Sequence, residues 1–382
     1  MTSFLVRDAG TLDGGRRRDV AIVDGRITST IPEDAELIHS GGWVIPGLVD
    51  AHSHLLASTR AVGTYVDTLS MSAASVERHI SRVLAANRRH GIRAIRDVGD
   101  PSDGAVARHR ARHHRIGVAF HAAGRFVNGG AMPVSDTELL DPTALLAQVR
   151  EQAALGGGWV KIVADRYSAA GPPALTIRPD HLITMIETAH AAGARVAVHA
   201  VGRPAVRAAL SAAADTLEHG TFVTPGDVAH MARQGTAWVP TVVAMRRTLS
   251  SRLTASEMRD AFRDLASNLR LAHEAGVAIL TGSDGHLPAG AVGIEAVALS
   301  ECGLEMAAAF DAAVDRACAV AVDLPGNVMV TECDPREDIS TLLEPLLIVS
   351  SGRLIRPAIG RGSTVDAALA GLRLDLGTTG SS

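Results

Sequence analysis

Between residues 43 and 290 the chain repeats one unit eight times, a short apolar run followed by an Ala-rich stretch with helical spacing. The runs are VIPGLVDAHSH, GIRAIRDVGD, GVAFHAAG, WVKIVAD, RVAVHAVG, ADTLEHGTFV, AWVPTVVAM and AILTGSDGH. Strands that alternate with helices pair in parallel through right-handed crossovers, and eight of them predict a closed (β/α)8 TIM-like barrel rather than an open doubly wound sheet. The stretch RPAVRAALSAAA after the fifth run typifies the helices, with apolar residues at helical spacing and a proline near the start. Apolar residues make up 47% of the 382 and aromatics only 3%. The core must therefore be built from Ala, Val, Leu and Ile, which suits parallel strands covered by helices.

The flanks read differently. DVAIVDGRITSTI alternates apolar and polar residues around Asp24-Gly25, a hairpin signal, and PLLIVSSGRLIRP repeats the pattern around a Ser-Gly turn near the other end. The two ends are expected to pair as a small β-sandwich from residues 1–45 plus 322–360, around a barrel at 46–321. A tail at 361–382 ends in small polar residues.

Composition excludes several classes. The net charge of −4 is dispersed, which speaks against a nucleic-acid or anionic-membrane partner. No run approaches membrane-spanning length, and MTSFLVRDAG reaches Arg7 and Asp8 too soon for a signal peptide. Cys302, Cys318 and Cys333 are widely spaced, so neither a disulfide framework nor a cysteine zinc site is expected, and a cytoplasmic setting is the default. The motifs H-E-x-x-H, P-loop and G-x-S-x-G are all absent. His109, His113 and His114 in ARHRARHHR read as an exposed helix face.

In such a barrel the last residues of each strand face a common mouth. Those positions hold His52 and His54 in the first run, Lys161 in the fourth, His199 in the fifth, His219 in the sixth and Asp284 in the eighth. On a strand, residues i and i+2 share a face, so His52 and His54 converge. Imidazoles and a carboxylate suit zinc, iron, manganese, nickel or cobalt. An ammonium at Lys161 would repel a dication. Either CO2 has converted it to a carbamate, which would bridge two ions about 3.5–4 Å apart, or no second metal sits there.

These segments resemble the metal-dependent amidohydrolase superfamily, in its imidazolonepropionase-like and Xaa-Pro dipeptidase-like branch. The resemblance runs in order through VIPGLVDAHSHL, GIRAIRDVGD, GGGWVKIVAD, RVAVHAVG, TLEHGTF, VPTVV and AGVAILTGSDG, and fades after about residue 300, where LPGNVMVTECDPREDI departs from the pattern. It implies a barrel flanked by a β-sandwich and two divalent metal ions, zinc being the first choice. It also implies His52, His54, His199, His219 and Asp284 as ligands, with carboxylated Lys161 as the bridge. Hydrolysis of an amide bond would follow, by a metal-bridging hydroxide with Asp284 as general acid/base and His219 helping to polarise the carbonyl.

Substrate contacts are expected from His121, Arg125, Tyr167 and His286, which lie at strand ends beside the ligand positions, and Asp97 is expected to be a structural acceptor. The substrate is expected to be a small molecule such as a dipeptide, N-acyl amino acid or cyclic amide, and the enzyme a homo-oligomer. Two alternatives remain: a mononuclear deaminase or imidazolonepropionase-like ring hydrolase, and a catalytically silent binding or assembly protein. The intact set of six positions speaks against the last.

Overall fold

A computed structural model describes residues 2–57, 71–100, 105–112, 118–128, 141–155, 158–167, 173–314 and 326–357. The chain opens with strands β1 (Ser3–Thr11), β2 (Arg18–Val23), β3 (Arg26–Thr28), β4 (Glu36–Ser40) and β5 (Trp43–Pro46). Interleaved with helices then come β6 (Leu48–Ser53), β7 (Ile92–Asp97), β8 (Ala119–Ala122), β9 (Trp159–Val163), the short pair β10 (Asp165–Arg166) and β11 (Ala174–Leu175), β12 (Arg195–Ala200), β13 (Thr216–His219) and β14 (Ala237–Val239). The last strands are β15 (Val328–Thr331), β16 (Leu347–Ser350) and β17 (Arg353–Ile355).

The central strands are parallel, as the strand–helix alternation requires. They form a three-stranded sheet β6-β7-β8 and a four-stranded sheet β14-β13-β12-β9. The single closed ring of eight strands expected from sequence is not what the ladders draw. The two sheets touch through an isolated bridge between Val127 and Ile162, and the eighth run meets β14 through a bridge between Trp238 and Ile279. Beyond that bridge, Ala51 N donates to Thr281 O at 2.9 Å and Asp284 N to His52 O at 2.7 Å. Asp284 and Gly285 at the end of this run both take positive φ, 50° and 62°, and turn the chain out of extended conformation.

Two apolar layers surround these strands. Inside, Val49, Ala51, Ala94, Ala123, Trp159, Ala197, Val239 and Leu280 pack together. The sixth run adds polar Thr216 and Glu218 to this interior, both fully buried. Outside, Ile80, Ile95, Ile162, Leu182, Val198, Leu217 and Phe262 pack between strands and helices. The helices start where the sequence marks them. Proline occupies the first turn of Pro142–Ala154, Pro179–Ala191 and Pro225–Gln234, and Thr224 with Asp227 and Thr254 with Glu257 form reciprocal capping boxes.

Strands from both ends share one sheet, in the order β17-β16-β15-β5-β1-β2-β3 with β4 on β1. The pairings fall into two groups that share β1, one with β2, β3 and β4 and one with β5, β15, β16 and β17. β1 pairs with β2 and β4 through its first half and with β5 through Gly10 and Thr11, and its register shifts between Val6 and Ala9, where Asp8 has φ 45°. Phe4, Val6, Val20, Ile22, Val44, Val328, Val330 and Val349 form the shared core. Both expected hairpin turns occur, Asp24-Gly25 with φ 50° and 78°, and Ser351-Gly352 with φ 49° and 70°, the twist that two-residue hairpins favour.

His109 departs from its expected exposure: it is buried on helix Ala105–Arg112. His113, His114 and Cys318 lie outside the described residues. Among the described residues, Cys302 and Cys333 are free thiols and no helix is long and apolar enough to cross a membrane.

Candidate active site

At the end of β6 the pleat brings His52 and His54 together, with ring centroids 5.2 Å apart in edge-to-face orientation. Both Nε2 atoms lie 3.0 Å from the same oxygen, Asp284 Oδ1. The His219 ring stands 5.0 Å from that of His52 and 4.4 Å from that of His199. His52, His219 and Asp284 each offer a ligand atom within 4.8 Å of the others. Lys161 is 2% exposed, and its Nζ has no hydrogen-bond partner among the described residues. Burial lowers its pKa to about 8, although Glu218 and Asp284 pull the other way. His199 is turned so that Nε2 lies 3.3 Å from Asp165 Oδ1.

Two of these residues reach their positions through unusual backbone. His219 has φ 70° and Asp284 φ 50°, left-handed conformations that cost energy for residues other than glycine. On β13, Thr216 and Glu218 share the inner face by alternation, and both bond Arg96. His219 would then face the helices; the left-handed turn carries it to the mouth instead.

Hydrogen bonds fix which imidazole nitrogen is presented. His54 Nδ1 lies 2.7 Å from Gly99 O, so it donates to that carbonyl. His52 Nδ1 lies 2.6 Å from Glu218 Oε2. Burial opposes a charge on Glu218, but Arg96, with Nη2 2.8 Å from Oε1, and His52 hold its carboxyl far below the usual range. His52 Nδ1 therefore carries a proton too. Both rings then aim Nε2 at one carboxylate oxygen. As neutral imidazoles they would set lone pairs against that oxygen, an arrangement that calls for a cation between them or a second proton on each ring. Asp284 stays ionised: burial would raise it, but His52, His54 and His219 hold it well below the usual carboxylate range. Burial and neighbouring His199 push the His219 ring well below the ordinary histidine range.

A further shell holds the site. Asp97 accepts from Leu55 N at 2.7 Å and Gly99 N at 2.9 Å, anchoring the turn that carries His54, which is the structural acceptor role expected for it. Thr241 Oγ1 lies 2.7 Å from His219 Nδ1. Asp165 accepts from Val201 N and Gly202 N at 3.0 and 2.6 Å, bracing the segment after His199. Glu218, Arg96, Thr216, Thr241 and Asp165 escaped the sequence reading. Glu218 adjoins a ligand position, and Asp165 follows Lys161 in the same run, but no motif or spacing singles either one out.

The expected substrate contacts divide. His121 and His286 are partly buried near the strand ends, and His286 Nδ1 is buried without a hydrogen-bond partner among the described residues. Tyr167 is partly buried beneath the Arg252 guanidinium, 4.3 Å from its ring centre. Arg125 is exposed, and its backbone amide donates to Gln152 Oε1 at 2.7 Å.

Comparison with known proteins adds three findings. The model of the Amidohydrolase family matches residues 43–322. An uncharacterized protein of Mycobacterium tuberculosis strain H37Rv is 32% identical over 362 residues, covering 88% of this chain and 91% of its own. Among solved structures, a provisionally assigned prolidase from Bifidobacterium longum has a TM-score of 0.76 at 22% identity, covering 97% of this chain and 98% of its own. A Xaa-Pro dipeptidase with methionine bound in its active site has a TM-score of 0.71 at 21% identity, covering 93% and 100%.

Proposed function

Because the chain belongs to the amidohydrolase family, and so is an enzyme that hydrolyses carbon–nitrogen bonds, we propose that it is a metal-dependent hydrolase of amides derived from amino acids. The metal centre would lie at the strand ends of a barrel-like α/β domain, residues 46–321, beside a small domain of residues 1–45 and 322–360. The observation that carries the reading is the pair of imidazoles, each with Nδ1 committed to protein, aiming Nε2 at the single oxygen Asp284 Oδ1. That donor set fits a divalent metal such as zinc.

His52, His54 and Asp284 would hold one ion, His199 and His219 a second, with carboxylated Lys161 between them. Lys161 supports this: its buried Nζ has no hydrogen-bond partner among the described residues, and a pKa of about 8 leaves far more free amine at neutral pH than an ordinary lysine has. Bound metal would supply Lewis acidity and make water a stronger acid. Asp284 would take the proton from the attacking water and return it to the departing amine, work for which an ionised carboxylate is suited. Glu218 and Gly99 would keep the imidazoles oriented. The similar dipeptidase holds methionine, an amino acid with a free carboxylate, which favours dipeptides or N-acyl amino acids here.

One observation favours a second reading, a mononuclear deaminase or cyclic-amide hydrolase. The tight donor group comprises His52, His219 and Asp284, while His199 faces Asp165. Metal content decides between the two. Two ions per chain, rising with bicarbonate, and cleavage of members of a dipeptide and N-acyl amino acid library support the first. One ion, unaffected by bicarbonate, with ammonia release supports the second. Full activity after exhaustive chelation would refute both.

A further inference from the structure

Three helices in a row begin at a threonine N-cap, Thr224, Thr241 and Thr254. Thr224 and Thr254 have extended backbone, φ −112° and −67°, and their side chains accept from Asp227 N and Glu257 N in their own first turns. That is the ordinary way to satisfy a helix start. Thr241 breaks the pattern. Its backbone is left-handed, φ 46° and ψ 51°, strained for a β-branched residue, and its side chain makes no capping bond. The hydroxyl instead meets His219 Nδ1 at 2.7 Å.

The amides that Thr241 leaves open are taken by another helix. Glu295, fully buried in helix Gly293–Glu301, accepts from Val242 N at 2.5 Å and Val243 N at 3.1 Å, one on each carboxyl oxygen. These are the first two residues of helix Val242–Ser250, directly after Thr241. Both are buried, so without Glu295 their N–H groups would be orphan donors in the protein interior. Burying a carboxyl is costly. Yet an acceptor brought from 53 residues away does what an N-cap hydroxyl cannot: it leaves that hydroxyl for His219. The same helix also reaches the eighth run, because the Arg247 guanidinium donates to His286 O, just past Asp284.

We propose that Glu295 is a positioning residue for the metal centre: by satisfying the start of helix Val242–Ser250 in place of Thr241, it keeps the Thr241 hydroxyl on His219, so that Nδ1 holds its proton and Nε2 is left to bind. The inference rests on the reading of His219 as a metal ligand. It joins a buried acid outside the ligand set to that ligand in the order Glu295, Thr241, His219, each acting through the next.

Nuclear magnetic resonance of the full-length, metal-free protein labelled with nitrogen-15 at histidine tests the order, and zinc competition with a chromophoric chelator tests its consequence. In the wild type the His219 ring, assigned by the signals that His219→Gln removes, should hold a single tautomer protonated at Nδ1. Glu295→Gln and Thr241→Val should each mix tautomers on that ring and weaken zinc binding about tenfold. The His54 ring, whose Nδ1 donates to Gly99 O, should keep its wild-type signals in both. The double variant should bind zinc within about twofold of Thr241→Val alone, because a residue that acts through Thr241 has nothing left to act on. A Glu295→Gln protein that is less stable but has wild-type ring signals and zinc affinity overturns the inference, as do losses that multiply in the double variant. Should Glu295→Gln not fold, Glu295→Asp takes its place with the same readings, and wild-type ring signals in Thr241→Val overturn the inference in either case. A wild type that binds no zinc refutes the metal reading, while the ring signals still judge Glu295. Zinc binding with the His219 ring unmoved in the variants keeps the metal reading and sinks this one.

Discussion

His52 Nδ1 lies 2.6 Å from Glu218 Oε2, so a carboxylate 166 residues away in sequence decides which nitrogen of the first histidine faces the mouth. Glu218 is itself fixed by Arg96, which also bonds Thr216 and stacks 4.5 Å over Trp159. A fully buried ion pair gains little stability over an apolar pair of the same shape, but losing one partner strands the other. Its use here is orientation. Glu218→Gln should lower the affinity for zinc about 10–100-fold, measured by competition with a chromophoric chelator. Unchanged affinity would separate Glu218 from the metal site.

In the proposed mechanism Asp284 serves both metal binding and proton transfer. Asp284→Asn keeps the shape, and the folded variant should lose at least about 100-fold in kcat. The check is a rate assay beside a circular dichroism spectrum. Retention of more than a few per cent of turnover would remove Asp284 from the proton path.

Gly282 is required by its neighbours. A methyl group there would stand 2.5 Å from His52 Cβ and 2.9 Å from Val239 Cγ1, with neither atom at the end of a flexible chain. Gly282→Ala should cost about 1–3 kcal/mol in urea denaturation and reduce zinc content, since His52 must shift. Gly226 is the control: a methyl there meets only Thr224 Oγ1, at 3.7 Å, within helix Pro225–Gln234, so Gly226→Ala should be neutral or slightly stabilising.

Glu295 makes stability depend on pH. Its buried carboxyl accepts from Val242 N and Val243 N, and burial, with Asp50 and Asp284 nearby, raises its pKa from 4.5 to about 8; Cys302 also adjoins it. The folded state keeps this proton between pH 4.5 and 8 while the unfolded state releases it. This contribution is complete below pH 4.5, declines as pH rises toward 8 and is flat above. Glu295→Gln should be less stable overall, because one amide loses its acceptor, and its denaturation midpoint should decline less steeply than that of the wild type from pH 5 to 8. Parallel profiles would show that Glu295 carries no proton in that range.

The sequence by itself determined the parallel strand–helix order, both terminal hairpins and the residue types brought to the mouth. Each is written in local periodicity: apolar runs spaced by helices, Asp-Gly and Ser-Gly at the turns, and histidines two apart on β6. Convergence of His52, His54, His219 and Asp284 needed only the rule that strand ends of such a fold share one rim. Tertiary structure alone decided the rest. Glu218 and Arg96 have no local signal, because a buried ion pair is formed by strands that meet only after folding. His219 reached the mouth through a left-handed residue that alternation does not foresee. The eighth run ends where Asp284 and Gly285 turn out of extended backbone, and strands of both termini meet through β1, which pairs with β2 and β4 along its first half and with β5 near its end. Periodicity specifies which face a residue prefers, whereas packing at the mouth and strain in single residues determine where that face finally points.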